Sequence, residues 1–265
     1  MKVIDINKEI GCRVARFPDG ESHLVLDEID RKEPVEIVAK ITSSNDVFVL
    51  MQLADILNRQ CVRVARITIP YLMSMRCDRL FSLERPFTLN IVANIINSFN
   101  ADKVEILEPH SDVALRLIKN SKAISVSFLE DNDFVYCLPD AGACSRNSKS
   151  VMKHKPIKCS KVRDVETGRI CELNIDDLGD YKEGMDIVVI DDLCDGGGTF
   201  VAIAEKLRKL NPGKLILFVT HAVQWDGIYQ VSKAFDKVFI TNSHTHWMHL
   251  PDNVEMWDYE SYLCT

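Results

Sequence analysis

The most constraining feature of the sequence is the segment 187–199, which reads Ile-Val-Val-Ile-Asp-Asp-Leu-Cys-Asp-Gly-Gly-Gly-Thr. Its first four residues are apolar and predict a strand buried on both faces, as in a parallel sheet covered by helices. The strand is expected to end where Asp191 and Asp192 emerge at its carboxyl edge, the edge at which ligands bind in α/β folds. The segment therefore predicts an α/β protein with a ligand site at residues 191–199.

The glycines of this segment favour an anionic ligand. Gly196, Gly197 and Gly198 have no Cβ and tolerate positive φ, so their N–H groups can converge on phosphate oxygens, and a helix from Thr199 adds its dipole. The adjacent carboxylates suit the vicinal hydroxyls of a sugar and also organise Mg2+ through water. The spacing differs from that of a P-loop or a dinucleotide fingerprint. We therefore predict a ribose 5-phosphate site, against the alternative of an ordinary strand, Asp-rich turn and helix start.

Composition narrows the class of protein. The 265 residues are enough for two α/β lobes, and the longest apolar runs are far shorter than a membrane span. The first nine residues carry charges where a signal peptide has an apolar core, so we expect a cytoplasmic protein without membrane partners. Nine cysteines without a CxxC pair predict reduced thiols, and the net charge of −7 argues against a nucleic-acid partner.

Strand and helix patterns alternate along the chain, which predicts two doubly wound parallel-sheet lobes. Pro and Gly residues and a basic stretch break the pattern near 135–160, so we divide the chain into lobes at 1–138 and 139–265. Part of the polar segment 153–182 is expected to be a loop over the site. The predicted strands are 35–41, 62–69, 104–107, 123–128, 134–138, 186–190, 215–220 and 237–241, and the predicted helices are 46–58, 88–99, 199–210 and 226–235.

Four further motifs contain chemically useful residues, and each has a purely structural alternative. The stretch 16–21 (Arg-Phe-Pro-Asp-Gly-Glu) reads as a hairpin turn with exposed acids. The stretch 71–79 contains two arginines that suit a polyphosphate or a surface ion-pair cluster. Strand ends at 108–112 and 138–142 contain His110 and Asp140, which suit a shared Mg2+ or a structural role. Lys161 and Arg163 alternate in the polar segment, where both cations would point to one side.

Joined in this order, the motifs resemble those of the phosphoribosyl-diphosphate (PRPP) synthetases, or ribose-phosphate diphosphokinases. The resemblance runs from about residue 13 to the end and implies two lobes of type I phosphoribosyltransferase fold. It implies that the N-terminal lobe binds ATP and the C-terminal lobe binds the ribose phosphate. The residues implied for ATP are Phe17, Asp19, Glu21, Arg76, Asp78 and Arg79. Those implied for the ribose phosphate are Asp191, Asp192, Asp195, Gly196, Gly197, Gly198 and Thr199. His110 and Asp140 correspond to the metal positions, and Lys161, Arg163 and Asp195 to the catalytic ones.

The resemblance also implies the reaction. The C1 hydroxyl of a ribose 5-phosphate unit attacks the β-phosphorus of ATP, pyrophosphate moves to the sugar and AMP is released, with Mg2+ as cofactor. This chemistry belongs to nucleotide biosynthesis and depends mostly on positioning and charge neutralisation. In the family the turn corresponding to 17–21 reaches ATP across a subunit contact, so a homo-oligomer is expected.

The chain departs from the family pattern in ways that bear on the acceptor. Cys77 replaces Gln, Glu108 replaces Asp and Gly196 replaces Thr. The last change removes a hydroxyl donor and opens volume beside the phosphate, so we favour ADP-ribose over free ribose 5-phosphate, giving ADP-ribose pyrophosphate and a role in NAD biosynthesis. Trp225 and the stretch 243–247 (Ser-His-Thr-His-Trp) add indoles and imidazoles on which a second adenine would stack. Metal binding by His244, His246 and His249, or plain surface packing, are the alternatives.

Two other functions remain open at this stage. A phosphoribosyltransferase would share residues 191–199, consume PRPP with a base and ignore ATP. A non-catalytic regulatory relative would keep the fold and lose the cations at 161 and 163.

Overall fold

The computed structural model describes residues 1–126, 133–146, 152–163 and 170–262, with the backbone alone at 162–163, 170–172 and 262. The chain divides into two compact units, the first ending at Ser125 and the second beginning at Val126. This division lies ahead of the boundary predicted after residue 138, because the strand Phe134–Leu138 hydrogen-bonds into the sheet of the second unit.

The first unit contains a five-stranded parallel sheet in the order β1-β4-β5-β6-β7, and β2 and β3 form a separate antiparallel hairpin. Its elements are β1 (Lys2–Asp5), β2 (Cys12–Arg16), β3 (Ser22–Leu26), β4 (Val35–Val38), α1 (Ser44–Arg59), β5 (Val64–Ile69), α2 (Thr88–Asn97), β6 (Val104–Leu107), α3 (Asp112–Leu117) and β7 (Ser121–Ile124). The strand predicted at 123–128 corresponds to β7, which begins and ends earlier and pairs with β6 in this sheet.

Helix α1 begins at a capping box. The Ser43 hydroxyl accepts from the Asp46 N–H at 3.2 Å, and the Asp46 carboxylate accepts from the Ser43 N–H at 2.8 Å. The helix also holds the hairpin, because the Gln52 amide donates to the Ser22 carbonyl at 2.7 Å and accepts from the Leu24 N–H at 2.8 Å. The side chain of Gln52 thus satisfies the outer edge of β3 as a neighbouring strand would.

The second unit contains a seven-stranded sheet in the order β10-β9-β8-β11-β12-β13-β14, in which β9 and β10 pair antiparallel and the other neighbouring strands pair parallel. Its elements are β8 (Phe134–Leu138), α4 (Ala141–Arg146), β9 (Ile157–Arg163), β10 (Ile170–Asp177), β11 (Asp186–Cys194), α5 (Gly198–Leu207), β12 (Leu215–Ala222), α6 (Trp225–Ala234), β13 (Lys237–Thr241) and β14 (Val254–Trp257), with 3-10 turns at Arg208–Leu210 and Tyr259–Tyr262. Parallel sheets with connecting helices confirm the predicted α/β fold.

The polar segment 153–182 is more ordered than the sequence pattern indicates. Strands β9 and β10 occupy most of it, because Ile157, Cys159 and Leu173 alternate with polar residues and turn towards the core. Residues 164–169, within the loop predicted over the site, lie outside the described residues.

The core of the second unit fixes the position of the predicted ligand site. Ile187, Val188 and Val189 of β11 are fully buried, as expected for a central parallel strand. Helices α5 and α6 contact each other beside this sheet. Among the described residues, no helix is both long and apolar enough to cross a lipid bilayer.

Candidate active site

The predicted glycine turn connects β11 to α5. Strand β11 continues to Cys194, beyond the predicted end. Asp191 and Asp192 therefore lie within the strand, where it pairs with β12, rather than after it. Gly197 has φ 78° and precedes the first residue of α5, and Thr199 lies in the first turn of that helix. We call residues 195–198 the glycine turn. Its left-handed residue and the following helix N-terminus provide the geometry in which N–H groups bind a phosphate.

The glycine turn depends on a second glycine that the sequence analysis missed. Gly227 lies in α6, and a Cβ built there would approach the Asp195 carbonyl oxygen to 1.7 Å. A Cβ on Gly197 would in turn meet the Gly227 carbonyl oxygen at 2.9 Å. Helix α6 therefore packs directly on the backbone of the turn, and this contact requires glycine on both sides. The only sequence signal is a glycine inside a helical pattern.

The carboxylates of Asp191 and Asp192 are both held by one cation, which the sequence analysis also missed. The Arg146 guanidinium lies 2.7 Å from a carboxylate oxygen of Asp192 and also contacts Asp191. Burial and the adjacent Asp192 carboxylate raise the pKa of Asp191 well above its ordinary value, while Arg146 opposes that shift. Burial likewise disfavours the charge of Arg146, but Asp192 and Asp191 outweigh it and raise the pKa of Arg146.

Asp140 and Lys161 form the second ion pair of this region. The Lys161 ammonium contacts the Asp140 carboxylate, whose other oxygen accepts from the Ala143 N–H at 2.9 Å. Burial tends to raise the pKa of Asp140, but Lys161 and the Ala143 N–H outweigh it and lower that pKa, so Asp140 is ionised. We call Asp140, Arg146, Lys161, Asp191 and Asp192 the ion-pair cluster.

Helix α4 explains how Arg146 reaches the cluster. The helix is only six residues long, and Arg146 is its last residue. A Cβ on Gly142 would lie 3.1 Å from both an Arg146 guanidinium nitrogen and an Asp140 oxygen. The glycine therefore leaves room for the arginine to fold back over the helix. Pro139 and Gly142 read as a break in the sequence pattern, which gives no sign that a side chain four residues after Gly142 lies in the site.

The remaining predicted catalytic residues, Asp195 and Arg163, lie in the second unit. Asp195 lies at the start of the glycine turn and supplies the carbonyl that contacts α6. Arg163 is the last residue of β9, two residues after Lys161, and only its backbone is described. Gly196 and Gly198 face open space, since a Cβ built on either has no neighbour within 4 Å.

The turn with Phe17, Asp19 and Glu21 joins β2 to β3, as predicted. The Phe17 N–H donates to the Glu21 carbonyl at 2.8 Å, and the Glu21 N–H donates to the Asp19 carboxylate at 3.0 Å. The Phe17 ring is 47% exposed and lies 5.8 Å from the His23 ring. The hairpin therefore presents an aromatic face and two acids at its tip.

The arginine motif follows β5 in the first unit. Asp78 is buried and accepts from Arg79 Nε at 2.9 Å and from the Ser111 hydroxyl at 2.8 Å. Burial opposes ionisation, but the bonds from Arg79 and Ser111 outweigh it and lower the pKa of Asp78. Asp78 thus orients Arg79, whose side chain is 69% exposed. Arg76 is also exposed.

The metal prediction draws on both units. His110 follows β6 in the first unit, and Asp140 follows β8 in the second. Within the described parts of the chain, no group of three or more His, Cys, Asp or Glu side chains is arranged to hold a metal ion. This applies also to His244, His246 and His249, and the His244 imidazole instead contacts the Thr245 hydroxyl at 2.7 Å.

Two indoles lie beside the helix that supports the glycine turn. Trp225 is the first residue of α6, two residues before Gly227, and its ring lies 6.0 Å from that of Trp247 at an angle of 50°. Trp225 is 39% exposed. The pair presents aromatic surface at the start of α6, the helix that contacts the turn.

Comparison with known proteins finds no matching family model. The chain is similar over most of its length to curated ribose-phosphate pyrophosphokinases. That of Pyrococcus furiosus is 25% identical over 246 residues, covering 87% of this chain and 85% of the relative. Those of Thermococcus kodakarensis and Mycoplasmopsis pulmonis are 27% and 26% identical, covering 89% and 92% of this chain and 86% and 78% of the relatives. These relatives support the PRPP synthetase family.

A solved structure shows the same fold. The phosphoribosylpyrophosphate synthetase from Mycobacterium smegmatis matches with a TM-score of 0.73 at 17% identity, covering 97% of this chain and 95% of that chain. The match confirms the predicted type I phosphoribosyltransferase fold.

The contact between α6 and the glycine turn predicts a large effect of Gly227→Ala. The new methyl group would clash with the Asp195 carbonyl, so we expect a loss of about 2 kcal/mol or more in the free energy of unfolding. Gly196→Ala is the matched control, since its methyl group enters open space and should change stability by less than about 0.5 kcal/mol. Urea unfolding of both variants measures this, and equal losses would contradict the packing argument.

The ion-pair cluster predicts a pH-dependent effect of Arg146→Met. Removing the cation leaves two buried carboxylates, so we expect a loss of about 3 kcal/mol or more at neutral pH. Arg146 holds the pKa of Asp191 down, so its removal raises that folded-state pKa further above the unfolded value of about 4. Below pH 4 the acid is protonated in both proteins, whereas at higher pH the variant loses more stability than the wild type. The deficit of the variant should therefore be smallest near pH 4 and grow with pH.

Arg208→Met is the control for this prediction. Arg208 pairs with Asp236 through two contacts of 2.9 and 3.0 Å, but both side chains are about two-fifths exposed. We expect it to cost about 1 kcal/mol or less. Thermal and urea unfolding from pH 4 to 8 compare the two variants, and a deficit of Arg146→Met that does not change with pH would refute the assignment.

Proposed function

We propose that the protein is an ATP-dependent diphosphokinase that transfers the β,γ-pyrophosphate of ATP to the C1 hydroxyl of a ribose-5-phosphate unit and releases AMP. The observation that carries the proposal is the placement of two carboxylates, Asp191 and Asp192, with side chains 8% and 3% exposed, shortly before a glycine turn and helix N-terminus. The similarity to ribose-phosphate pyrophosphokinases over most of the chain supports it.

The sugar phosphate is proposed to bind along the end of β11. N–H groups of Gly196, Gly197, Gly198 and Thr199 would hold the 5-phosphate, helped by the dipole of α5. Asp191 and Asp192 would accept hydrogen bonds from the ribose hydroxyls. Asp195, between these two groups, would orient the C1 hydroxyl. A raised pKa at Asp191 also makes this carboxyl able to donate a hydrogen bond when protonated.

The cations of the ion-pair cluster are proposed to exchange partners during the reaction. Lys161 is paired with Asp140, and Arg146 with Asp191 and Asp192. Phosphate oxygens compete for both cations, and a planar guanidinium matches them with two parallel hydrogen bonds. Lys161, together with Arg163, would then stabilise the charge that develops on the transferred pyrophosphate.

The residues present fit Mg2+. Asp140 is ionised and partly exposed, and oxygen ligands with retained water are what this ion requires. Asp140 would hold it, with His110 as the second ligand that the family resemblance implies, and the ion would supply positive charge to the phosphates of ATP. Release of Asp140 from Lys161 would then serve two ends, since it frees a metal ligand and a cation for the phosphates.

ATP is proposed to bind through residues of the first unit. Arg76 and Arg79 would grip its phosphates, with Asp78 fixing the orientation of Arg79. Phe17, Asp19 and Glu21 would contact the adenine of ATP bound to a neighbouring subunit. This last assignment makes the active form a homo-oligomer. We propose that the reaction belongs to nucleotide biosynthesis.

The acceptor is proposed to be ADP-ribose, which gives ADP-ribose pyrophosphate and a role in NAD biosynthesis. Gly196 leaves space beside the phosphate site, which an acceptor with an esterified 5-phosphate requires. Trp225, on the helix that packs against the glycine turn, and the neighbouring Trp247 offer an aromatic surface for the adenine.

AMP formation tests the reaction. With Mg2+ and ATP, mass spectrometry should detect AMP only when ribose 5-phosphate or ADP-ribose is added. Lys161→Ala should lower the rate at least about 100-fold, because it removes charge stabilisation of the transferred group. Lys158→Ala, an exposed lysine of the same strand, is the control and should stay within about twofold of the wild type. AMP formation that does not depend on an acceptor would refute the proposal. Consumption of PRPP with a base would instead favour a phosphoribosyltransferase.

The acceptor preference is tested with Gly196→Thr. The open space around Gly196 accommodates the side chain, and its hydroxyl would favour a dianionic 5-phosphate over an esterified one. We expect the ratio of kcat/KM for ADP-ribose to that for ribose 5-phosphate to fall at least about tenfold, which corresponds to about 1.4 kcal/mol. Steady-state kinetics with both acceptors measures the ratio, and an unchanged ratio would remove the reason for preferring ADP-ribose.

A further inference from the structure

Two cysteines in the core of the second unit lie in contact. Cys137 of β8 and Cys159 of β9 are 0% and 4% exposed, and their sulfur atoms are 3.6 Å apart. The strands are parallel neighbours, paired through Cys137 and Ile157. A disulfide has a sulfur separation of about 2.05 Å, so closing the bond requires a movement of about 1.5 Å. Backbone adjacency therefore already brings the two thiols within reach of a covalent link.

The two thiols are not equivalent. The two sulfur atoms are within hydrogen-bond distance and either thiol can be the donor; with Cys137 as the donor, the bond lowers the pKa of Cys159. The same bond, together with burial, raises the pKa of Cys137. Because the thiolate is the reactive form, Cys159 is the nucleophile of the pair and Cys137 the resolving thiol.

We propose that a small peroxide oxidises Cys137 and Cys159 to a reversible disulfide with each other, and that this bond slows the reaction at the ion-pair cluster. The Cys159 thiolate attacks one oxygen of hydrogen peroxide, the O–O bond breaks, and the departing hydroxide takes up the Cys159 proton to become water. Cys137 then attacks the sulfenic sulfur of Cys159, and the hydroxide that leaves combines with the Cys137 proton. Two thiols and one peroxide give one disulfide and two waters, and the two electrons lost by sulfur pass to the peroxide.

The disulfide is coupled to the cluster by short stretches of chain. Asp140 follows Cys137 by three residues, and Lys161 follows Cys159 by two, on the same side of β9. Asp140 and Lys161 form the ion pair described above. Drawing the strands together at the cysteines therefore displaces both partners of this pair, and a displacement of about 1 Å is enough to lower catalysis strongly. This second part rests on the proposed function.

Peptide mapping tests the disulfide itself. Iodoacetamide first alkylates the accessible thiols, which include the exposed Cys61 and Cys77, and hydrogen peroxide is then added to the folded protein. Digestion without reductant should yield a linked Cys137–Cys159 peptide that lacks two hydrogen atoms and separates on reduction. The link should be absent in Cys137→Ala and in Cys159→Ala, and should persist in Cys144→Ala, a half-buried cysteine of α4.

Peptide mapping of the wild-type protein tests whether the disulfide forms even where an alanine variant fails to fold. Peroxide that leaves the wild type without a linked peptide, or that converts Cys159 to a sulfinic acid, would overturn the proposal.

The coupling is tested by activity of the oxidised wild type. AMP formation should fall at least about tenfold on cross-linking and return on reduction, and Cys159→Ala should keep its rate after the same treatment. A linked peptide with an unchanged rate would refute the coupling. A reduced protein that forms no AMP with any acceptor would count against the proposed function instead, while the peptide map would still decide whether the disulfide forms.

Discussion

Two adjacent carboxylates removed from water impose an electrostatic constraint on the end of β11. Asp191 and Asp192 repel each other and are both disfavoured as anions by burial, so β11 can end in this way only beside a cation. Arg146 supplies that cation from α4. The short helix, the glycine at 142 and the ion pair of Asp140 with Lys161 are all arranged around this requirement.

The charge of the cluster is relevant to what it binds. Three carboxylates and two cations leave one net negative charge when all are ionised. Each cation is held by a carboxylate that has another proposed partner, either a sugar hydroxyl or a metal ion. Binding of phosphates and Mg2+ together can therefore exchange the pairs without leaving any buried charge uncompensated, whereas either ligand alone cannot. This is a physical reason for the two ligands to bind cooperatively.

The sequence predicted the class of fold and the centre of the site, because local patterns encode both. The apolar run before Asp191 and the consecutive glycines are readable without knowing which strands pair. Arg146 and Gly227 were not predicted, because their roles arise only when α4 and α6 pack against the end of β11. The strand at 134–138 was placed in the first lobe for the same reason, since periodicity identifies a strand but not the sheet to which it belongs.

The hairpin of the first unit shows how a polar side chain can control association. Gln52 occupies the outer backbone groups of β3, at Ser22 and Leu24, so a foreign strand cannot add there without displacing it. One amide thus closes this edge of the hairpin, and its loss would open a route to β-augmentation at the element that carries Phe17 and Glu21.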